Sequence, residues 1–211
     1  MEKLVRKIKF NTVLEVITGL HIGASKDSVE IGGIDTPVIK LAFINNQPYI
    51  PGSSLKGKMR CLLEQMAGAA DVGGNDAINN LFGFSKTGQP SKLIVRDAML
   101  SPDSVRLLES CENMDMPYTE GKWENVIDRV RGTATNPRQI ERVPAGVTFD
   151  VEFILNVWDS DSEDDLMILL YKGINALEND YLGGNGSRGY GQVRFTELKQ
   201  TVLSDENNWK A

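Results

Sequence analysis

Ile8, Phe10, Thr12, Leu14 and Val16 alternate with Lys9, Asn11 and Glu15. Successive side chains of a strand point to opposite faces, so this spacing predicts a half-buried first strand. The same period of two returns at Val147, Phe149, Val151, Phe153, Leu155 and Val157. Between the two runs the period changes: Leu55, Met59, Leu62, Leu63 and Met66 fall at i, i+4, i+7, i+8 and i+11 and line one stripe of a helix, with Ser53 or Ser54 placed to cap it. A second helix is predicted over about residues 162–177, with Asp164 and Asp165 at its positive end. Leu93-Ile94-Val95 and Val193 with Phe195 mark two shorter strands.

Two stretches interrupt this pattern. Residues 68–91 are rich in Gly and Asn, with a short helical piece over 78–82. Residues 101–145 are rich in Arg, Thr and Asn, partly extended, and broken by Pro137. Both read as insertions, the second adding little to a core. Without them the order is βαββαβ, an α+β, ferredoxin-like arrangement of the kind RNA-recognition modules use, in a single domain over 1–211.

The composition, 41% hydrophobic and 25% charged, is that of an ordinary globular chain. No run approaches the ~20 apolar residues of a membrane span, and the N-terminus carries no apolar leader, so a cytoplasmic protein without membrane contact is expected. Cys61 and Cys111 lack a CxxC spacing or partner His and read as buried thiols in a reducing compartment. A net charge of −6 counts against nucleic acid as a partner. The charge is uneven, however. Nine acids stand against Lys172 alone between Asp150 and Asp180, whereas Lys56, Lys58 and Arg60 sit together without an acid, and Arg129, Arg131, Arg138 and Arg142 outnumber Asp128 and Glu141. One surface can therefore be basic, although a solvated face accounts for such clusters equally well.

Three motifs carry candidate chemistry. Gly184-Asn-Gly186-Ser-Arg-Gly189 matches the dinucleotide fingerprint, but a helix enters it and a strand leaves, the reverse of what places pyrophosphate at a helix start. Gly52-Ser-Ser-Leu-Lys-Gly57-Lys58 has the Walker A spacing, yet Met59 stands where a hydroxyl would hold magnesium. What survives is a helix start offering N–H groups to a phosphate beside Lys56 and Arg60. Arg188 to Phe195 fits six of seven specified positions of the RNP1 pattern, but on the fourth rather than the third strand. Five glycines between Gly183 and Gly191 still permit close backbone approach, and Arg188 adds charge; a helix-terminating turn is the plain alternative.

Taken together, GLHIGAS (19–25), IGGIDTPV (31–38), YIPGSSLKGKMR (49–60), VRDAML (95–100), TNPRQIERV (135–143) and DYLGGNGSRGYGQVRF (180–195) resemble the RAMP backbone subunit of type III-A CRISPR (Csm) effector complexes. The resemblance covers most of the chain and is lowest over 68–91 and 101–117. It implies a modified ferredoxin-like (RRM-like) palm, a helical insertion at about 68–91, and a β-hairpin thumb within about 101–145, read at 118–143, with Arg129 and Arg131 on one face by strand alternation. It implies guide RNA, target RNA, further copies of the chain in a filament and other Csm subunits as partners. RNA contacts are expected from His21, Ser54, Lys56, Lys58, Arg60, Arg129, Arg131, Arg138, Gly184, Gly186, Ser187 and Arg188.

The family's catalytic aspartate matches Asp35, and its cleavage of target RNA uses a divalent metal, Mg2+ or Mn2+. An Asp with an ordinary pKa of ~3.9 is a feeble base at neutral pH, so metal coordination or nucleophile alignment suits it better; an Asx turn before Pro37 is the structural alternative. Glu120, Glu124 and Asp97 are rival acids. A related reading keeps the RNA and drops the chemistry: a scaffold that only holds the guide. A nucleotide-binding switch would rest on the imperfect Walker spacing alone.

Overall fold

The computed structural model describes residues 2–24, 34–114 and 116–205. In chain order the elements are β1 (Leu4–Val16), β2 (Lys40–Leu41), β3 (Gln47–Ile50), α1 (Gly52–Met66), α2 (Asp76–Phe82), β4 (Leu93–Val95), β5 (Ala98–Leu100), α3 (Pro102–Glu109), β6 (Glu120–Ile127), β7 (Ala134–Arg142), β8 (Thr148–Trp158), α4 (Glu163–Glu178), β9 (Val193–Phe195) and β10 (Lys199–Asp205). The class is α+β, as the alternating periods predict.

β1 and β8 form the middle of an antiparallel sheet ordered β10-β1-β8-β5-β3-β2, with β4 also on β8 and β9 also on β1. Their register sets Ile8 opposite Leu155, Phe10 opposite Phe153, Thr12 opposite Val151 and Leu14 opposite Phe149. All eight are buried, so the two alternating runs found in the sequence are the two halves of one inner face. α1 and α4 cover that face. They cross closely at Gly173, where a β-carbon would come within 3.3 Å of Leu63 and 3.4 Å of Met59.

Several local expectations differ from the structure. α1 starts one residue before the expected caps, after Pro51, and no side chain caps it from within. Instead the Gly52 N–H donates to Asp97 Oδ1 at 2.7 Å, from the two-residue break between β4 and β5. Gly52 is required there, because a β-carbon would lie 2.2 Å from the Val95 carbonyl oxygen. Met66, assigned to the buried stripe, is 69% exposed at the last residue of α1. Cys61 and Cys111 are free and exposed, not buried.

Segment 68–91 holds α2, capped by the Asn75 side chain, and a 3-10 turn at Ser85–Thr87. Segment 101–145 contributes more to the core than its polar composition suggests. α3, capped by Ser101 with Pro102 in its first turn, buries Leu108, and Tyr118, Ile140 and Val143 are buried as well. β6 and β7 form a separate two-stranded ribbon projecting from this segment. Among the described residues no helix is long and apolar enough to cross a membrane.

Candidate functional site

Residues 19–21 are the joint between the ribbon and the glycine-rich loop. Leu20 and Val143 exchange backbone hydrogen bonds at 2.9 and 2.8 Å, while Gly184 N–H donates to the His21 carbonyl at 2.8 Å and Gly191 N–H to the Gly19 carbonyl at 3.1 Å. Gly19 leaves room for the Arg142 side chain, which a β-carbon would meet at 2.4 Å. His21, expected to touch RNA, is buried, with Nδ1 2.6 Å from the Glu141 carbonyl oxygen. Its ring packs under the glycine loop as a strut.

Residues 34–38 lie along the outer edge of β7. Thr36 and Ile140 form a parallel bridge, and Glu141 N–H donates to the Thr36 carbonyl at 3.1 Å. The Glu141 carboxylate, 1% exposed, accepts from Val38 N–H at 2.9 Å, from Thr119 Oγ1 at 2.5 Å, and from Lys40. This buried, fully engaged acid fixes the segment to the root of the ribbon. Asp35 sits at the exposed end of the dock, where its Oδ2 accepts from the Gln139 N–H at 2.8 Å. The carboxylate thus caps a strand edge 104 residues away. Gly32 and Gly33, which precede it in the sequence, lie outside the described residues.

Trp123 is directly opposite Gln139 in the ribbon register and is 65% exposed. A large exposed aromatic on a polar hairpin is a sequence signal that motif matching overlooks. Arg129 and Arg131 are not on strands, so they do not share a face by alternation; they occupy the turn joining β6 to β7. Asp128 Oδ1 accepts from Val130 N–H at 2.9 Å and Arg131 N–H at 3.0 Å, holding that tip in shape. Val130 at its apex is 95% exposed.

The glycine loop is organised from within. A β-carbon at Gly183 would lie 2.2 Å from the His21 carbonyl oxygen, one at Gly186 2.0 Å from the Tyr181 ring, and one at Gly191 2.0 Å from the Leu182 carbonyl oxygen. Gly183 and Gly191 let backbone approach backbone inside the protein, and Gly186 makes room for the Tyr181 ring. Ser187 and Arg188 stand exposed on the 3-10 turn Gly186–Arg188.

The basic residues of α1 are committed to protein partners. Lys56 donates to Ser91 Oγ at 2.5 Å and the Leu93 carbonyl at 2.9 Å. Burial, with the Arg60 guanidinium nearby, pulls its amine below the ordinary lysine value. Arg60 joins Glu64 at 2.9 Å, the Gly83 carbonyl at 2.7 Å and Asn79 Oδ1 at 3.0 Å, clamping the 68–91 segment to α1. Lys58 pairs with Asp180 at 2.7 Å and lies 3.7 Å from the Tyr181 ring centre, tying α1 to the start of the glycine loop. Ser54 is half-buried in the first turn of α1.

The exposed face of the ribbon and the glycine loop meet at Glu124. Lys122, Arg138 and Arg188 approach its carboxylate at 3.6, 3.5 and 3.8 Å. Burial works to raise the Glu124 carboxyl, but the Tyr190 hydroxyl and these cations outweigh it and hold the group below the ordinary carboxylate range. Among the described residues no three His, Cys, Asp or Glu side chains gather as a metal cage. A magnesium ion does not require one, since one or two carboxylates with phosphate oxygens and water complete its shell. Asp35, exposed with one oxygen engaged, fits that limited role.

Asp35 is thus an exposed acid anchored to β7 of the hairpin. The chain belongs to the RAMP superfamily, whose profile matches residues 13–194. More particularly, it is 44% identical over 210 residues to a protein from Streptococcus thermophilus named CRISPR system Cms endoribonuclease Csm3, covering 93% of this chain and 90% of that one. A protein of the same name from Methanocaldococcus jannaschii is 39% identical over 216 residues, covering 94% and 83%. Among solved structures, a Csm3-Csm4 subcomplex of the type III-A CRISPR-Cas interference complex matches with a TM-score of 0.63 and 31% identity, over 97% of this chain and 83% of that one. A type III-B Cmr-beta complex bound to cognate target RNA matches in fold, with a TM-score of 0.68 and 16% identity, over 94% of this chain and 62% of that one.

Proposed function

We propose that this chain is a repeated backbone subunit of a type III-A CRISPR interference complex, which binds guide RNA and cleaves complementary target RNA at Asp35 with a divalent metal. The observation that carries the reading is Asp35 itself. It is an exposed carboxylate, held by the Gln139 N–H on the root of a projecting hairpin, in a chain 44% identical to a named endoribonuclease. The hairpin β6–β7 is the thumb. The sheet is a modified ferredoxin-like palm: with β4 and β5 read as one strand and β9 and β10 as another, the order around β1 and β8 is 4-1-3-2. Other copies of the chain, other Csm subunits, guide RNA and target RNA are its partners.

Cleavage needs a 2′-hydroxyl or water aligned in line with phosphorus, and stabilisation of the added negative charge. Asp35 would hold Mg2+ or Mn2+, which would supply that stabilisation. The protein's own contribution is placement. Glu141 and Gln139 fix the Asp35 segment on β7, so the acid keeps a constant position relative to RNA lying along the ribbon. Arg129 and Arg131 at the tip, with Arg138 and Arg188 near the root, supply the positive charge for such a path. Lys56 and Arg60 support it indirectly, by holding α1 and the 68–91 segment together.

The test is target cleavage by the guide-loaded complex in magnesium, with Asp35→Ala compared against the unmutated chain. The expected outcome is loss of cleavage with target binding retained. Undiminished cleavage by Asp35→Ala removes Asp35 from the chemistry, and an unmutated complex that never cuts leaves the scaffold reading.

A further inference from the structure

Glu124 is where cations from two parts of the fold converge. Lys122 and Arg138 belong to the two strands of the ribbon, and Arg188 belongs to the glycine loop. Their separations from the carboxylate, 3.5 to 3.8 Å, are long beside the direct contacts of Arg142 with Glu120 at 2.6 Å and Lys58 with Asp180 at 2.7 Å. The carboxylate is shared among three cations and held tightly by none. One acid against three bases leaves a local positive excess in a chain whose net charge is −6.

Tyr190 lies beneath this cluster with 1% exposure, and Lys122 and Arg142 cover its ring at 4.4 and 5.2 Å from the ring centre. Its hydroxyl is buried without a hydrogen-bond partner in good geometry. Burial, then the adjacent Glu124, pushes that hydroxyl up to about 12, so it remains a protonated donor at neutral pH. Three cations and a hydroxyl donor whose interaction with Glu124 falls short of a well-formed hydrogen bond thus converge on one carboxylate. A buried donor whose hydrogen bond is poorly formed favours a ligand that can complete it.

We propose that this cluster is the binding site for one RNA phosphodiester, bridging thumb and glycine loop, and that Glu124 is its built-in competitor. The inference rests on the RNA-binding reading above. A carboxylate and a phosphodiester each carry one negative charge and accept forked hydrogen bonds from guanidinium groups. In the free protein Glu124 keeps Lys122, Arg138 and Arg188 from repelling one another and holds them in position. A phosphate enters by displacing the carboxylate from the three cations. The displaced charge stays nearby and opposes the phosphate, which limits binding to RNA that makes many contacts at once.

The sign of this effect separates it from a merely structural role. Glu124→Gln keeps shape and removes charge. The variant should bind a mixed-sequence single-stranded RNA about fivefold more tightly at low salt, and its log K should fall with log salt more steeply by ~0.7. Arg188→Gln should flatten the slope by ~0.7 and reduce the gain from Glu124→Gln when the two are combined. Where Glu124→Gln does not fold, the Arg188→Gln slope decides alone, and an unchanged slope overturns the proposal. Equal or weaker binding by folded Glu124→Gln also overturns it while leaving RNA binding intact. If the unmutated chain itself fails to retain the RNA at low salt, both readings fall.

Discussion

The carboxylate of Asp35 and the backbone N–H of Gln139 meet at 2.8 Å, so the proposed reactive group is registered on the thumb by a bond that no side chain of Gln139 supplies. Gln139 pairs opposite Trp123 across the ribbon, yet its amide points outward to Asp35. Gln139→Ala keeps that N–H and should leave cleavage close to normal. Gln139→Pro deletes it and should slow cleavage by ~10- to 100-fold, because a misplacement of ~1 Å can cost that much. Equal rates for the two variants in single-turnover assays, with RNA binding matched, would remove the hydrogen bond from the mechanism.

Glu141 should matter to stability more than any exposed acid in the chain. It is nearly inaccessible, and Lys40, Val38 N–H and Thr119 all depend on it. Removing one member of such a buried group strands the others, so Glu141→Ala should lower the unfolding free energy by ~3–5 kcal/mol. Denaturant unfolding measures this directly. A loss below ~1 kcal/mol, the scale of a surface pair, contradicts the buried-anchor account.

What the sequence revealed, and what it hid, divides along physical lines. The two runs around Phe10 and Phe153 were legible because one buried sheet face imposes a period of two. α4 was legible because Ser162 caps it and Leu166, Leu170 and Ile174 recur on one stripe. β2, β3, β5 and β10 were not: β2 has two residues, β3 and β5 have four and three with no run of alternation, and residues 199–203 of β10 are exposed, so no buried face imposes a period on them. Asp35 was found only through family resemblance, as its partner is a backbone amide 104 residues away. The roles of Lys56 and Arg60 were hidden for a similar reason: their acceptors, the carbonyls of Leu93 and Gly83, have no signature in composition.

That difference makes the basic residues separable by experiment. Arg60→Met should lower stability by ~2 kcal/mol, or about 4–8 °C in Tm for a chain of this size, since it breaks three hydrogen bonds. Replacing Arg129 or Arg131, both exposed at the thumb tip, should leave Tm within about 1–2 °C. Each tip replacement should instead flatten the salt dependence of RNA binding by ~0.7. A tip variant that melts early without changing the slope would reverse these assignments.

Lys92 and Asp161 form a buried ion pair that also receives Asn80 and the Trp158 N–H, linking α2 to the turn before α4. Burial tends to raise the Asp161 carboxyl, but Lys92, the Trp158 N–H and Asn80 prevail and hold it below its ordinary value. A depressed carboxyl contributes stability that is present above the ordinary aspartate value and is lost as pH falls through the lowered one. Lys92→Met leaves the acid buried and unpaired, so it should cost ~3 kcal/mol at neutral pH. The gap between the two proteins should then narrow as pH falls below about 4, where the stranded acid is neutral and the pair in the unmutated chain is failing. A gap independent of pH would mean that packing, not charge, sets the loss.

Gly57 and Gly191 look alike in the sequence and should behave in opposite ways. At Gly191 the backbone has φ +72°, and a β-carbon would lie 2.0 Å from the Leu182 carbonyl oxygen. Gly191→Ala should therefore cost more than ~2 kcal/mol. Gly57 lies on the exposed side of α1, and a β-carbon there would meet nothing within 4 Å. A helix-interior glycine is worth ~0.5–1 kcal/mol less than alanine, so Gly57→Ala should raise stability by about that amount. A glycine kept where alanine fits better is explained if another backbone, here RNA, approaches the open face of α1 too closely for a methyl group. Gly57→Ala should then be more stable by calorimetry and bind RNA several-fold more weakly. A variant that gains stability and binds RNA unchanged would place the RNA path away from α1.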